Sequence, residues 1–181
     1  MKDKIEKWIK DIDEITQAFS TSFEHLSKIQ LNKKPNSKTW SIGENIDHLI
    51  VINSSYFEPV EKIKAGDYKL GFISKIGFLT RFFGKMILSS VQPDRKNKIK
   101  TFPVWEPSKS DFEIELLEQF INHQEALKKL IISSENILNK GALIASPGNN
   151  NIIYKLEDAF DIIVAHERRH FEQAKSILNH L

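Results

Sequence analysis

The sequence predicts an all-α protein, a four-helix bundle with a long connection, about residues 66–107, between its second and third helices. Two observations carry this prediction. Apolar residues recur at every third or fourth position over four long stretches. Gly 7 and Pro 6 are few for 181 residues, which suits long helices better than a sandwich of short strands.

The first stretch runs from Lys4 to Leu31, with Ile5, Trp8, Ile9, Ile12, Ile15, Phe19, Phe23, Leu26 and Ile29 on one stripe. A polar break containing Pro35 follows, and Ser41-Ile42-Gly43-Glu44 then reads as a capping box, a serine with a glutamate three residues later. The second helix is expected from Ser41 to about Ala65, with Pro59 marking a kink or early stop. The third is expected after Pro107, capped by Ser108 or Ser110, and carries Phe112, Leu116, Phe120, Leu127 and Leu130. The fourth follows a turn at Ser146-Pro147-Gly148-Asn149-Asn150-Asn151 and runs from about Tyr154 to the C-terminus.

A connection as long as residues 66–107 allows the helices it joins to run parallel. Within it Phe72, Ile76, Leu79, Phe83 and Met86 lie at helical spacing, interspersed with Lys75, Arg81 and Lys85. A short helix packed on the bundle or at a dimer contact is expected there in preference to a membrane-surface helix. No linker composition divides the chain, so residues 1–181 read as one domain.

Composition narrows the chemistry. With Cys 0, disulfides, thiolate metal sites and a cysteine nucleophile are excluded, leaving histidines and carboxylates. The opening MKDKIEKWIKDIDEI is charged every few residues, unlike a signal peptide or membrane anchor, so the expected location is the cytoplasm, without stable membrane insertion. The densest basic run, Arg95 to Lys100, has no context for reading bases and is expected to be a solvated loop, with no nucleic-acid partner.

The histidines carry the strongest functional signal. His166 and His170 are four residues apart, about 6 Å along a helix and about 40° around it, so both imidazoles reach one ion. Alone, this spacing also fits two exposed helical histidines. His48 adds a third candidate from the second helix. If the second and third helices are parallel, the fourth is antiparallel to the second. Counting inward from Ser41 and back from Leu178 then brings His48 opposite the neighbourhood of Phe171, within a turn of His170.

Trp40 through Leu49 match a W-S-x-x-E-x-x-x-H-L entry to the second helix, and His166 through Gln173 match H-x-x-x-H-x-x-Q on the fourth. On these segments the chain resembles the DinB-like superfamily of small four-helix metalloproteins, which includes YfiT-like metal-dependent hydrolases and thiol-dependent S-transferases. The resemblance implies a single DinB-like helical-bundle domain over residues 1–181, with a divalent metal held by His48, His166 and His170. Three neutral histidines leave coordination positions open, as in catalytic sites, and suit zinc, nickel, iron or manganese.

Around that trio, Glu44 is a candidate ligand-orienting residue or base, with its place in the capping box an equally good account. Gln173 is a candidate partner for a bound water, and Arg169 for an anionic substrate, although exposed helix surface is the preferred reading of Arg169. His25, His123 and His180 lack partners at ligand spacing and read as surface or boundary residues, and Trp40 reads as a staple at the bundle end. The function expected is a metal-dependent enzyme acting on small electrophiles. It is either a hydrolase or an S-transferase whose low-molecular-weight thiol arrives as a cosubstrate. The alternative is a non-catalytic metal- or ligand-binding bundle, stress-related and homodimeric.

Overall fold

The computed structural model describes residues 1–70, 77–92 and 101–181. It is mostly helical: α1 (Lys2–Phe23), α2 (Lys28–Asn32), α3 (Ile42–Ser54), α4 (Phe57–Ala65), α5 (Gly77–Ser90), α6 (Leu116–Ser133), α7 (Glu135–Asn139) and α8 (Leu156–Ile177). A small antiparallel hairpin, β1 (Leu143–Ser146) and β2 (Asn149–Lys155), precedes α8. The four long stretches of apolar periodicity therefore supply the bundle: α1, α3 with α4, α6, and α8.

Side-chain contacts give the helix directions. Asn45 meets His170, His48 meets His166 and Tyr56 meets Tyr154, so the α3–α4 limb runs antiparallel to α8. A Cβ on Gly43 would lie 2.9 Å from the Phe112 ring, while Lys64 reaches Ser133, so the same limb runs parallel to α6 as the long connection predicts. The core is continuous across all four limbs and contains Trp8, Phe19, Ile46, Leu49, Phe120, Leu127 and Phe160. Fully burying such side chains stabilises the fold by about 1.5–3 kcal/mol each.

Several boundaries differ from expectation, each for an identifiable reason. The first stretch is two helices, because Ser27 opens α2 with its own capping box to Gln30; Ile29, expected on the inner stripe, is exposed. The second limb breaks at Ser55–Tyr56, ahead of Pro59, which sits in the first turn of α4 where a missing N–H costs nothing. The third helix starts at Leu116, and neither Ser108 nor Ser110 caps it. Ser108 instead donates its N–H and hydroxyl to the Asp47 carboxylate at 2.6 and 3.0 Å. Phe112 is buried in extended chain, its backbone held on both sides by the Asn32 amide. The expected turn at Ser146–Asn151 lies in the β1–β2 hairpin, which the helical reading did not anticipate.

Within the long connection, α5 packs against β2 and α8 and leaves Phe82 and Met86 exposed. Phe72, Lys75, Ile76 and the basic run Arg95–Lys100 lie outside the described residues. Among the described residues no helix is long and apolar enough to cross a membrane.

Candidate metal centre

The capping box at Ser41 sets the phase of the first functional element. Ser41 Oγ accepts from the Glu44 N–H at 3.1 Å, and Glu44 Oε2 accepts from the Ser41 N–H at 2.8 Å. From that start Asn45 and His48, one turn apart, both face α8. On α8 the four-residue spacing stacks His166 and His170 on the face that meets them. The Nε2 atoms of His48 and His166 are 3.4 Å apart, and those of His166 and His170 are 3.0 Å apart. All three histidines are placed so that one ring nitrogen of each lies within 4.8 Å of the others. Three nitrogens each about 2.1 Å from one tetrahedral ion would be separated by roughly 3.4 Å, so the donor set fits a zinc-like cation.

The outward-facing nitrogens are also arranged. His48 Nδ1–H donates to the Trp105 carbonyl, and His170 Nδ1–H donates to Asn45 Oδ1 at 2.8 Å. Each bond fixes the tautomer that leaves the Nε2 lone pair free for a ligand role. Asn45 cannot turn over without loss, because its Nδ2 donates to the Ser41 carbonyl at 2.8 Å. His166 Nδ1 is buried without a partner among the described residues. Trp40 covers the group, its indole stacked on His170 at 5.9 Å and tilted over His48 at 4.9 Å. Burial holds all three imidazoles below the usual histidine range, and the neighbouring Arg169 charge pushes His166 and His170 the same way. They are therefore neutral at pH 7, the form that binds a metal.

The Trp105 carbonyl reaches His48 because the segment carrying it is pinned at three points. Trp105 closes a 3₁₀ turn, Pro103–Trp105. Its Nε1 donates to Ser55 Oγ at 3.2 Å, and Asp47 holds Ser108 three residues on. Its ring lies so close to Gly148 of the hairpin turn that an added Cβ would come within 2.7 Å of it. Asn45, Asp47 and Trp105 were not singled out from sequence. Asn45 and Asp47 closely precede the motif position His48, which was the available signal for them; Trp105 lies 57 residues away from it and had none.

The other candidates fall differently. Both Glu44 carboxylate oxygens are engaged away from the histidines, one in the capping box and the other on Lys34 Nζ at 2.6 Å. Gln173 is exposed and lines the mouth of the adjoining cavity. Arg169 is half-buried on the cavity wall and donates to the Ser90 and Gln92 carbonyls at 3.3 and 3.2 Å, tying α8 to the end of α5. His123 is remote from the cluster and stacks on Phe57 at 5.4 Å.

Behind the histidines, Glu167 is fully buried and joins three helices, accepting from Asn53 Nδ2 at 2.7 Å and Gln124 Nε2 at 2.9 Å. Burial pushes its carboxyl up to about 7 despite those two donors. In front of the histidines lies a cavity of about 1030 Å³, lined by Trp40, His48, His166 and His170 among others.

Comparison with protein families matches the model of the DinB superfamily over residues 11–174. Comparisons with curated proteins and with solved structures give no match.

Proposed function

This chain belongs to the DinB superfamily, and from that premise we propose that it is a metal-dependent enzyme, a hydrolase or a low-molecular-weight-thiol S-transferase acting on small electrophiles. The observation that carries the reading is the convergence of three buried imidazoles, their tautomers set from outside, on the wall of a cavity of about 1030 Å³. A closed structural site would have no use for such a space. The chemistry a divalent ion supplies when bound is Lewis acidity, polarising an electrophile and easing loss of a proton from a water or thiol.

The chain's own groups do the rest. His48, His166 and His170 hold the ion; Asn45 and the Trp105 carbonyl aim two of the rings; Trp40 keeps water off one face. The volume is at the upper end of the range for single small-molecule sites, leaving room for a thiol beside the electrophile. With Cys 0, a transferred thiol has to come from a cosubstrate.

One observation favours the alternative, a non-catalytic metal- or ligand-binding bundle: Glu44, the candidate base, has both oxygens committed to Ser41 and Lys34. The test is elemental analysis of tag-free protein beside a His166→Ala/His170→Ala double variant of unchanged helical content. About one equivalent of zinc, nickel, iron or manganese in the wild type, absent from the variant, is expected. The loaded protein is then assayed for loss of small electrophiles with and without added thiol. Turnover independent of thiol identifies a hydrolase, and turnover requiring it a transferase. A wild type that takes up no metal on reconstitution with zinc, nickel or manganese overturns the enzyme reading in favour of the binding bundle.

A further inference from the structure

The cavity continues past the histidines to a closed end. Its mouth carries the exposed side chains of Lys38, Gln173 and Ser176, whereas its far wall carries Asn53, Tyr56 and Tyr154, each at most 2% exposed. Tyr56 lies eight residues beyond His48 on the same limb, about two helical turns or ~12 Å along it. Ile52, Ile162 and Ile163 line the cavity as well and make its wall apolar between the polar groups.

The hydrogen bonds at the closed end do not balance. Asn53 donates its Nδ2 to a Glu167 oxygen at 2.7 Å, and its Oδ1 is buried with no partner among the described residues. The Tyr56 and Tyr154 hydroxyls share one hydrogen bond of 2.7 Å, in which either can be the donor. Two hydroxyls bring two protons to this one mutual contact, so one donor is left over among the described residues. An unused donor and an unused acceptor therefore stand in the wall of one cavity without bonding each other, each costly to leave buried and unpaired.

The geometry points to this closed end as a subsite for an uncharged group that both accepts and donates, an alcohol hydroxyl carried on an apolar segment about two helical turns from the reacting group. This assignment rests on reading the histidines as the reaction centre. A carboxylate fits poorly here: Lys38 is at the mouth, and Arg169 is turned to the Ser90 and Gln92 carbonyls. The surroundings resist negative charge in general, since burial pushes the Tyr154 hydroxyl up to about 12.

The test uses ω-hydroxyalkyl hydroxamic acids of increasing chain length against counterparts in which a methyl replaces the terminal hydroxyl. Binding is read by NMR titration, which reaches millimolar affinities, on zinc-loaded and zinc-free protein. At one chain length the hydroxy compound is expected to bind about tenfold tighter than its methyl counterpart, and Tyr154→Phe to bring the ratio to about one. Tyr56→Phe is the second variant and should do the same. Methyl compounds that bind as well or better at every length, a ratio untouched by either substitution, or no binding in either form would overturn the subsite. Hydroxamate affinity indifferent to zinc would count against the metal reading alone, because the hydroxyl-to-methyl ratio is measured within each form.

Discussion

The bundle has two unlike seams. Between α1 and α6 the contacts are aromatic and dry: Phe19 meets Phe120 at 4.7 Å, and the charged partners, such as Lys128 with Asp13, are at the rim. Between α3 and α8 the same amphipathic helices bury His48, Asn45, Asn53, Glu167 and His170. Every polar group buried there has to be matched or it costs stability, so such a seam is a poor way to hold a bundle together. The apolar seam carries stability, and the polar seam carries the candidate metal centre.

That division predicts separable failures. Phe19→Ala removes a fully buried ring from the apolar seam and is expected to cost about 3–5 kcal/mol in chemical denaturation. The variant that remains folded should still take up one equivalent of metal. Loss of metal with stability unchanged would mean the seams are not divided in this way.

A smaller effect separates them by pH. Burial lifts the Glu167 carboxyl to about 7 from an ordinary 4.5. Between these values the unfolded chain has lost a proton that the folded chain keeps, so stability is full below the lower value and falls as pH rises through the upper one. The three clustered histidines act in the opposite sense: held below 6.5 when folded, they cost stability as pH drops beneath that value. Glu167→Gln removes only the first effect. The stability of the metal-free variant relative to wild type should therefore rise by about 3 kcal/mol between pH 4.5 and pH 8, read from denaturant midpoints. Parallel curves would place the Glu167 ionisation at its unfolded value.

The apolar seam was legible in the sequence because its signal is periodic: Trp8, Ile12, Ile15 and Phe19 repeat at helical spacing and all lie in the core. The histidine trio was legible because two members share a helix at ligand spacing and the third sits in a recognisable capped entry. What held those rings was not. The Trp105 carbonyl is a backbone atom on a segment with no periodicity, brought to His48 by Asp47, Ser55 and Gly148, none of which looks remarkable alone. The misplaced start of the third helix has a tertiary origin: Ser108, expected as a cap, is spent on the Asp47 carboxylate, which only the fold brings within reach.

Asn45 tests the polar seam with least disturbance to the rest. Its side chain makes two bonds, to His170 Nδ1 and to the Ser41 carbonyl, and packs no large apolar surface. Asn45→Ala frees the His170 ring to turn and to change tautomer, while His48, His166 and the apolar seam are untouched. Outer partners of metal-binding histidines are typically worth 10–100-fold in affinity, so zinc binding measured by competition with a chelator should weaken by about that factor. Stability without metal should change by no more than about 1–3 kcal/mol, the cost of leaving His170 Nδ1 unmatched. Asn45→Asp keeps an acceptor for Nδ1–H and should recover most of the affinity. If alanine weakens binding and aspartate does not restore it, aiming the ring requires the Nδ2 bond to the Ser41 carbonyl as well as an acceptor for Nδ1–H.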